Sequence, residues 1–66
     1  MPKTIDELIK MIAERDNISV AEAKDMIRVA AVDMETAFMN GSLDEAERIL
    51  SDELGLELDY LMFFIN

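Results

Sequence analysis

SVAEAKDMIRVAAVDMETAFM, residues 19–39, is the longest helical pattern in the chain and sets its expected architecture. Ser19 followed three residues later by Glu22 has the form of a capping box, so a helix begins at Val20, and Asn40-Gly41 supplies the stop. At about 100° per residue, Val20, Ala23, Ile27, Ala31, Met34 and Phe38 form one apolar stripe, while Val29, Val32, Thr36 and Met39 form a second on the opposite side. Only Asp33 and Glu35 interrupt residues 29–39 with charge. A helix apolar on two sides must be covered on two sides. Either it is the central member of a bundle, with its neighbours on one side and the C-terminal segment (Tyr60, Leu61, Phe64, Ile65) on the other, or its second stripe is a seam between molecules.

The same notation recurs on both sides of this stretch. Thr4-Ile5-Asp6-Glu7 and Ser42-Leu43-Asp44-Glu45 each place a hydroxyl at the N-cap and a Glu three residues on, and Asn17 and Gly55 are suited to left-handed stops. Helices are therefore expected over 5–16, 20–39 and 43–54. Ile5, Leu8, Ile9 and Ile12 make one stripe on the first helix, with Asp6, Lys10 and Glu14 turned away; Leu43, Ala46, Ile49, Leu50 and Leu54 make one on the third. Asp6 with Lys10 and Asp44 with Arg48 have the order of i, i+4 ion pairs. Residues 58–65 read as a short helix capped by Asp59, since a lone strand there would have no partner. The expected fold is all-α and a single domain over 1–66: a small bundle of three helices plus a short C-terminal helix, with a long central second helix.

Composition bounds the chemistry. The chain has 66 residues, 15 Asp plus Glu against 6 Lys plus Arg, a net charge of −9 and 52% hydrophobic residues, so it is too apolar for disorder and long enough for one small domain. With no Cys and no His, there is no disulfide, thiolate nucleophile, imidazole base or histidine pH switch. Transition-metal ligation loses its usual donors. Residues 1–33 carry five basic and seven acidic groups, net −2; residues 34–66 carry one basic group, Arg48, and eight acidic ones, net −7. This balance opposes direct nucleic-acid contact and anionic membranes, because phosphate affinity comes largely from Lys and Arg. No secretory signal opens the sequence and no apolar run is long enough to span a bilayer, so the expected location is the cytoplasm.

No motif for catalysis, metal or cofactor emerges. Neighbouring carboxylates on a helix point in different directions, neither Gly41 nor Gly55 has calcium-loop ligands before it, and no Walker, Rossmann or nucleophile-elbow pattern is present. The hairpin around Asp16-Asn17-Ile18-Ser19 has the outline of a helix-turn-helix, but Glu22, Asp25, Asp33 and Glu35 against Lys24 and Arg28 is the wrong balance for a DNA reader. The expectation is no enzyme, no cofactor and no metal site.

Asp52 and Glu53 break a local rule: both fall in the last turn of the third helix, where the macrodipole disfavours negative charge, with no Lys or Arg in that turn. The simplest expectation is that Arg28, Lys24 or a helix N-terminus neutralises them. If unpaired, Glu45, Asp52, Glu53, Glu57 and Asp59 form an acidic patch for a basic partner. The sequence has six Met, a residue type adaptable enough to be common at binding surfaces. Met39 and Met62 with Phe63 are the ones expected outside a monomeric core. Together with Val29, Val32 and Thr36 they form the candidate partner or oligomer interface. A chain this short without staples often associates, with a symmetric dimer the usual form.

IDELIKMIAERDNISVAEAK and DEAERILSDELGLELDYLMFFI resemble short acidic all-helical hypothetical proteins of bacterial phages and prophages, in which a capped helical hairpin is followed by a DELGL-like turn and an aromatic C-terminus. The resemblance implies an accessory role in a host cell and carries no activity or functional residue with it. Two functions are then expected to compete: a small acidic protein-interaction module that binds a basic protein surface, or a self-assembling structural homo-oligomer without a separate ligand.

Overall fold

The computed structural model of the chain describes residues 2–65. Three α-helices follow in order, α1 (Ile5–Asp16), α2 (Val20–Met39) and α3 (Leu43–Leu54), and a 3-10 helix, η1 (Leu58–Phe63), follows them. There is no strand among the described residues, and the protein is a small all-α bundle with α2 as its long member. The three α-helices have the limits that their caps and stops predict. Ser19 and Glu22 complete a reciprocal capping box. The other two boxes are half made. Thr4 accepts from the Glu7 amide while the Glu7 carboxylate takes the Lys3 amide instead; Ser42 accepts from the Glu45 amide while the Glu45 carboxylate turns to Arg48. Asn17 (φ 55°) ends α1 and Gly55 (φ 63°) ends α3 in the left-handed region. After α2 that conformation falls on Gly41 (φ 71°) and not on Asn40, because Gly adopts it without a Cβ clash.

The C-terminal element differs from expectation in two ways. It is a 3-10 helix that starts at Leu58, with Glu57 in the N-cap position making no side-chain cap, and Asp59 lies inside its first turn. A run this short, anchored by the buried side chains of Leu56 and Leu61, favours the tighter helix.

Leu8 and Ile12 of α1, Met34 of α2, and Leu50 and Leu54 of α3 are the largest fully buried side chains. On α2 the buried face is Ala23, Ile27, Ala30, Met34 and Ala37. It is turned from the expected stripe: Val20 is exposed, while Ala31 and Phe38 are half-buried at its edge. The physical reason is close packing. Ala23, Ala30 and Ala37 recur every seven residues, and their small side chains, with Ala46 of α3 also fully buried, let helix backbones approach where larger groups would hold them apart. α2 accordingly meets α3 most extensively and α1 next.

The C-terminal segment closes the bundle on a side away from the second apolar stripe. It packs on α3, the Tyr60 hydroxyl reaches Met11 Sδ of α1 at 3.7 Å, and Tyr60 stacks on Phe63 with ring centroids 6.1 Å apart. Arg15 of α1 donates to the Gly55 carbonyl at 3.4 Å, tying α1 to the end of α3. The Cα radius of gyration, 11.3 Å, is close to the ~11 Å of a compact chain of this length. Among the described residues no helix is long and apolar enough to cross a membrane.

Candidate functional site

The proposed interface residues fall into two places. Val29, Val32 and Met39 are 52%, 59% and 79% exposed, and Thr36 beside them is exposed too. They lie on α2 opposite the alanine face. The C-terminal segment does not cover them, so the expectation that Tyr60, Leu61, Phe64 and Ile65 could bury this stripe is corrected. Leu61 is buried in the core and Tyr60, Phe63 and Phe64 pack against it. Met62 is 68% exposed, but Phe63 is half-buried and belongs to the bundle's own packing, correcting its placement outside the monomeric core. The reason is the 3-10 period: with about three residues per turn, Tyr60 and Phe63 share a face while Met62 points elsewhere.

The acidic residues also divide. Asp33, Thr36, Ala37 and Asn40 of α2 and Glu45, Ile49 and Glu53 of α3 line a crevice of about 320 Å³ between the two helices. Two of the five proposed acidic residues, Glu45 and Glu53, are therefore brought together, joined by Asp33, which charge bookkeeping along α3 could not supply. Glu57 and Asp59 lie beyond Gly55 on the C-terminal segment and do not line this crevice.

Inside the crevice like charges face each other. Partial desolvation, then a hydrogen bond with Asp33, then repulsion from Asp33 and Asp52, push the Glu53 carboxyl above the usual glutamate value. The expected neutralisers are elsewhere. Arg28 pairs with Asp25 on its own helix, and Lys24 lies with Asp6, Ile9, Lys10 and Val20 at the α1–α2 junction. Arg48 pairs with Glu45, not with Asp44, and is held above its ordinary value chiefly by that bond, with a smaller contribution from Asp52 one turn further on. The i, i+4 spacing of Arg48 and Asp52 was the signal in the sequence for that second attraction. Among the described residues the third ion pair is Arg15 with Asp16, at 2.8 Å, which holds the Asp16 carboxyl below its ordinary value; Asp6 and Lys10 form none. Arg15 is also the cation that meets the C-terminal end of α3, through the Gly55 carbonyl.

One apolar surface is assembled from residues that no single helix stripe joins. Ile5 and Leu43, each the first residue of its helix, and Ile65 are exposed at the rim of a cleft of about 760 Å³. Its remaining lining is Ile27, Ala31, Phe38, Phe63 and Phe64, with Glu35 as the single charged residue. It lies where the first residues of α1 and α3, one side of α2 and the C-terminal segment meet. Among the described residues no three acidic groups converge as a metal-binding cluster. The chain matches no family model, curated protein or solved structure with which it was compared.

Proposed function

We propose that this chain is a small acidic protein-interaction module that docks on a basic surface of a partner protein, and we assign it no catalytic role. The observation that supports the reading is the crevice lined by Asp33, Glu45 and Glu53: Glu45 is paired with Arg48, but among the described residues no Lys or Arg lines the crevice beside Asp33 and Glu53. A Lys or Arg side chain entering there would relieve the Asp33–Glu53 repulsion as well as form its own charge-assisted bonds. Asp52 and the remaining acidic groups of residues 34–66 would steer the approach. The setting we propose, from the resemblance of the sequence to short phage and prophage proteins, is the host cytoplasm, where covering a basic nucleic-acid-binding surface is one use for such a module.

The test uses a Lys- and Arg-rich amphipathic peptide as probe, titrated by calorimetry at two salt concentrations. Binding is expected to weaken with salt. Glu53→Gln and Glu57→Gln change the net charge equally, so they separate a site from a field: Glu53→Gln should weaken binding severalfold and Glu57→Gln much less. Equal losses would show that only net charge matters and remove the crevice as a site.

A further inference from the structure

The exposed face of α2 has a symmetry that one copy of the chain does not use. Val29 and Val32 lie at its centre, both more than half exposed. Asp25 stands four residues before Val29, and Thr36 stands four residues after Val32. Arg28 and Glu35, seven residues apart and so two turns along the helix, flank the same edge of the face. Reversing the direction of the helix exchanges Val29 with Val32 and Asp25 with Thr36, and it brings the Arg28 edge beside the Glu35 edge.

We infer that a second copy of this chain packs antiparallel on this face, Val29 of each against Val32 of the other, with Arg28 beside the other copy's Glu35. Charge complementarity selects both the occupant and the direction. α2 carries Glu22, Asp25, Asp33 and Glu35 against Lys24 and Arg28, a net −2 over 20 residues, less per residue than α1 (−2 over 12) or α3 (−4 over 12), so of the three helices it is the one along which two copies repel least. An antiparallel seam places edges of the same kind side by side, giving two Arg28–Glu35 pairs, and sets Asp25 opposite the uncharged Thr36, whose hydroxyl donates to the Val32 carbonyl of its own helix at 3.1 Å, so that the two Asp25 carboxylates stay apart. A parallel seam would instead stack Asp25 on Asp25. Arg28 is free to make this contact, since its present pair with Asp25 is on the surface, the two side chains being 75% and 59% exposed. With only two valines at its centre the face is narrow, so the dimer is expected in the weak class, below the ~800 Å² per partner of a standard interface. This inference stands on α2 alone and does not depend on the acidic crevice.

Sedimentation equilibrium at about 0.1–1 mM protein, where a weak dimer populates, tests it, with circular dichroism as a check that each variant folds. Wild type should show a concentration-dependent dimer. Arg28→Glu and Glu35→Lys should each weaken it about tenfold, and the double exchange, whose net charge is again −9, should restore it. Glu35→Lys decides, because it takes the net charge to −7 and general repulsion alone would then make association stronger. The chain has no Cys of its own, so V29C mixed with V32C should form the mixed disulfide faster than either forms with itself. A monomer throughout, strengthening by Glu35→Lys, failure of the double exchange, or preferred self-disulfides would each overturn the inference.

Discussion

Glu53 is the residue where two unfavourable fields add: the negative end of α3 and the Asp33 carboxylate across the crevice. Removing its charge should therefore stabilise the fold. Glu53→Gln is expected to gain at most about 0.5 kcal/mol at neutral pH, because the side chain is exposed and solvent screens both fields, read as a rise of no more than roughly 2–4 °C in the thermal midpoint. The pH dependence has a definite sign. Because its folded value is raised, folded Glu53 binds a proton in a range where the unfolded chain does not. Its penalty is therefore constant above that range and fades as pH falls through the raised value towards the usual ~4.3. The advantage of Glu53→Gln over wild type should shrink over the same window. Glu22 and Asp16 act in the opposite direction. The capping bond from Ser19 and the pairing with Arg15 hold them below their ordinary values, so their contributions are present at neutral pH and are lost on acidification. Midpoints of both proteins between pH 7 and pH 3 check this; a parallel offset at every pH would count against it. If Glu53→Gln also binds a basic probe less well, stability and binding move in opposite directions at one residue, as expected of a group kept for its contact and not for the fold.

At the scale of the element, α2 shows how packing chooses among faces that hydrophobicity leaves nearly equal. The stripe of Val29, Val32, Thr36 and Met39 is about as apolar as the face of Ala23, Ile27, Ala30, Met34 and Ala37, yet only the second is buried. Burying alanines gains little per side chain, but it lets α2 and α3 come close enough for Met34, Leu50 and Leu54 to share one core. Two neighbouring substitutions separate this arrangement from the one expected from periodicity. Ala30→Leu should overpack the fully buried face and cost about 1–3 kcal/mol in urea unfolding. Ala31→Leu, at the edge of the open cleft, should cost much less. Equal penalties would mean that the helix is rotated differently.

For the whole molecule, charge works against compactness. Six cations cannot neutralise fifteen acids, and the three ion pairs among the described residues use three of the six, all of them between positions close in sequence. Raising ionic strength from about 0.01 to 0.15 M shortens the Debye length from ~30 to ~8 Å. The thermal midpoint should therefore rise with salt at a fixed protein concentration, while binding of a basic probe falls. A midpoint that drops with salt would mean that the short-range pairs outweigh the general repulsion.

The three α-helices and their ends follow from local sequence, because caps and left-handed stops act within four residues and need no tertiary partner: Ser19, Asn17 and Gly55 do locally what their chemistry allows. The sequence also marked Val29, Val32 and Met39 as an apolar face distinct from the first. Packing between the elements sets which side of α2 is the core, where the C-terminal aromatics lie, and that Glu53 and Asp33 line one crevice. Those depend on distances between elements far apart in the chain, set by side-chain volume and by how closely two backbones can approach, and helical periodicity carries neither.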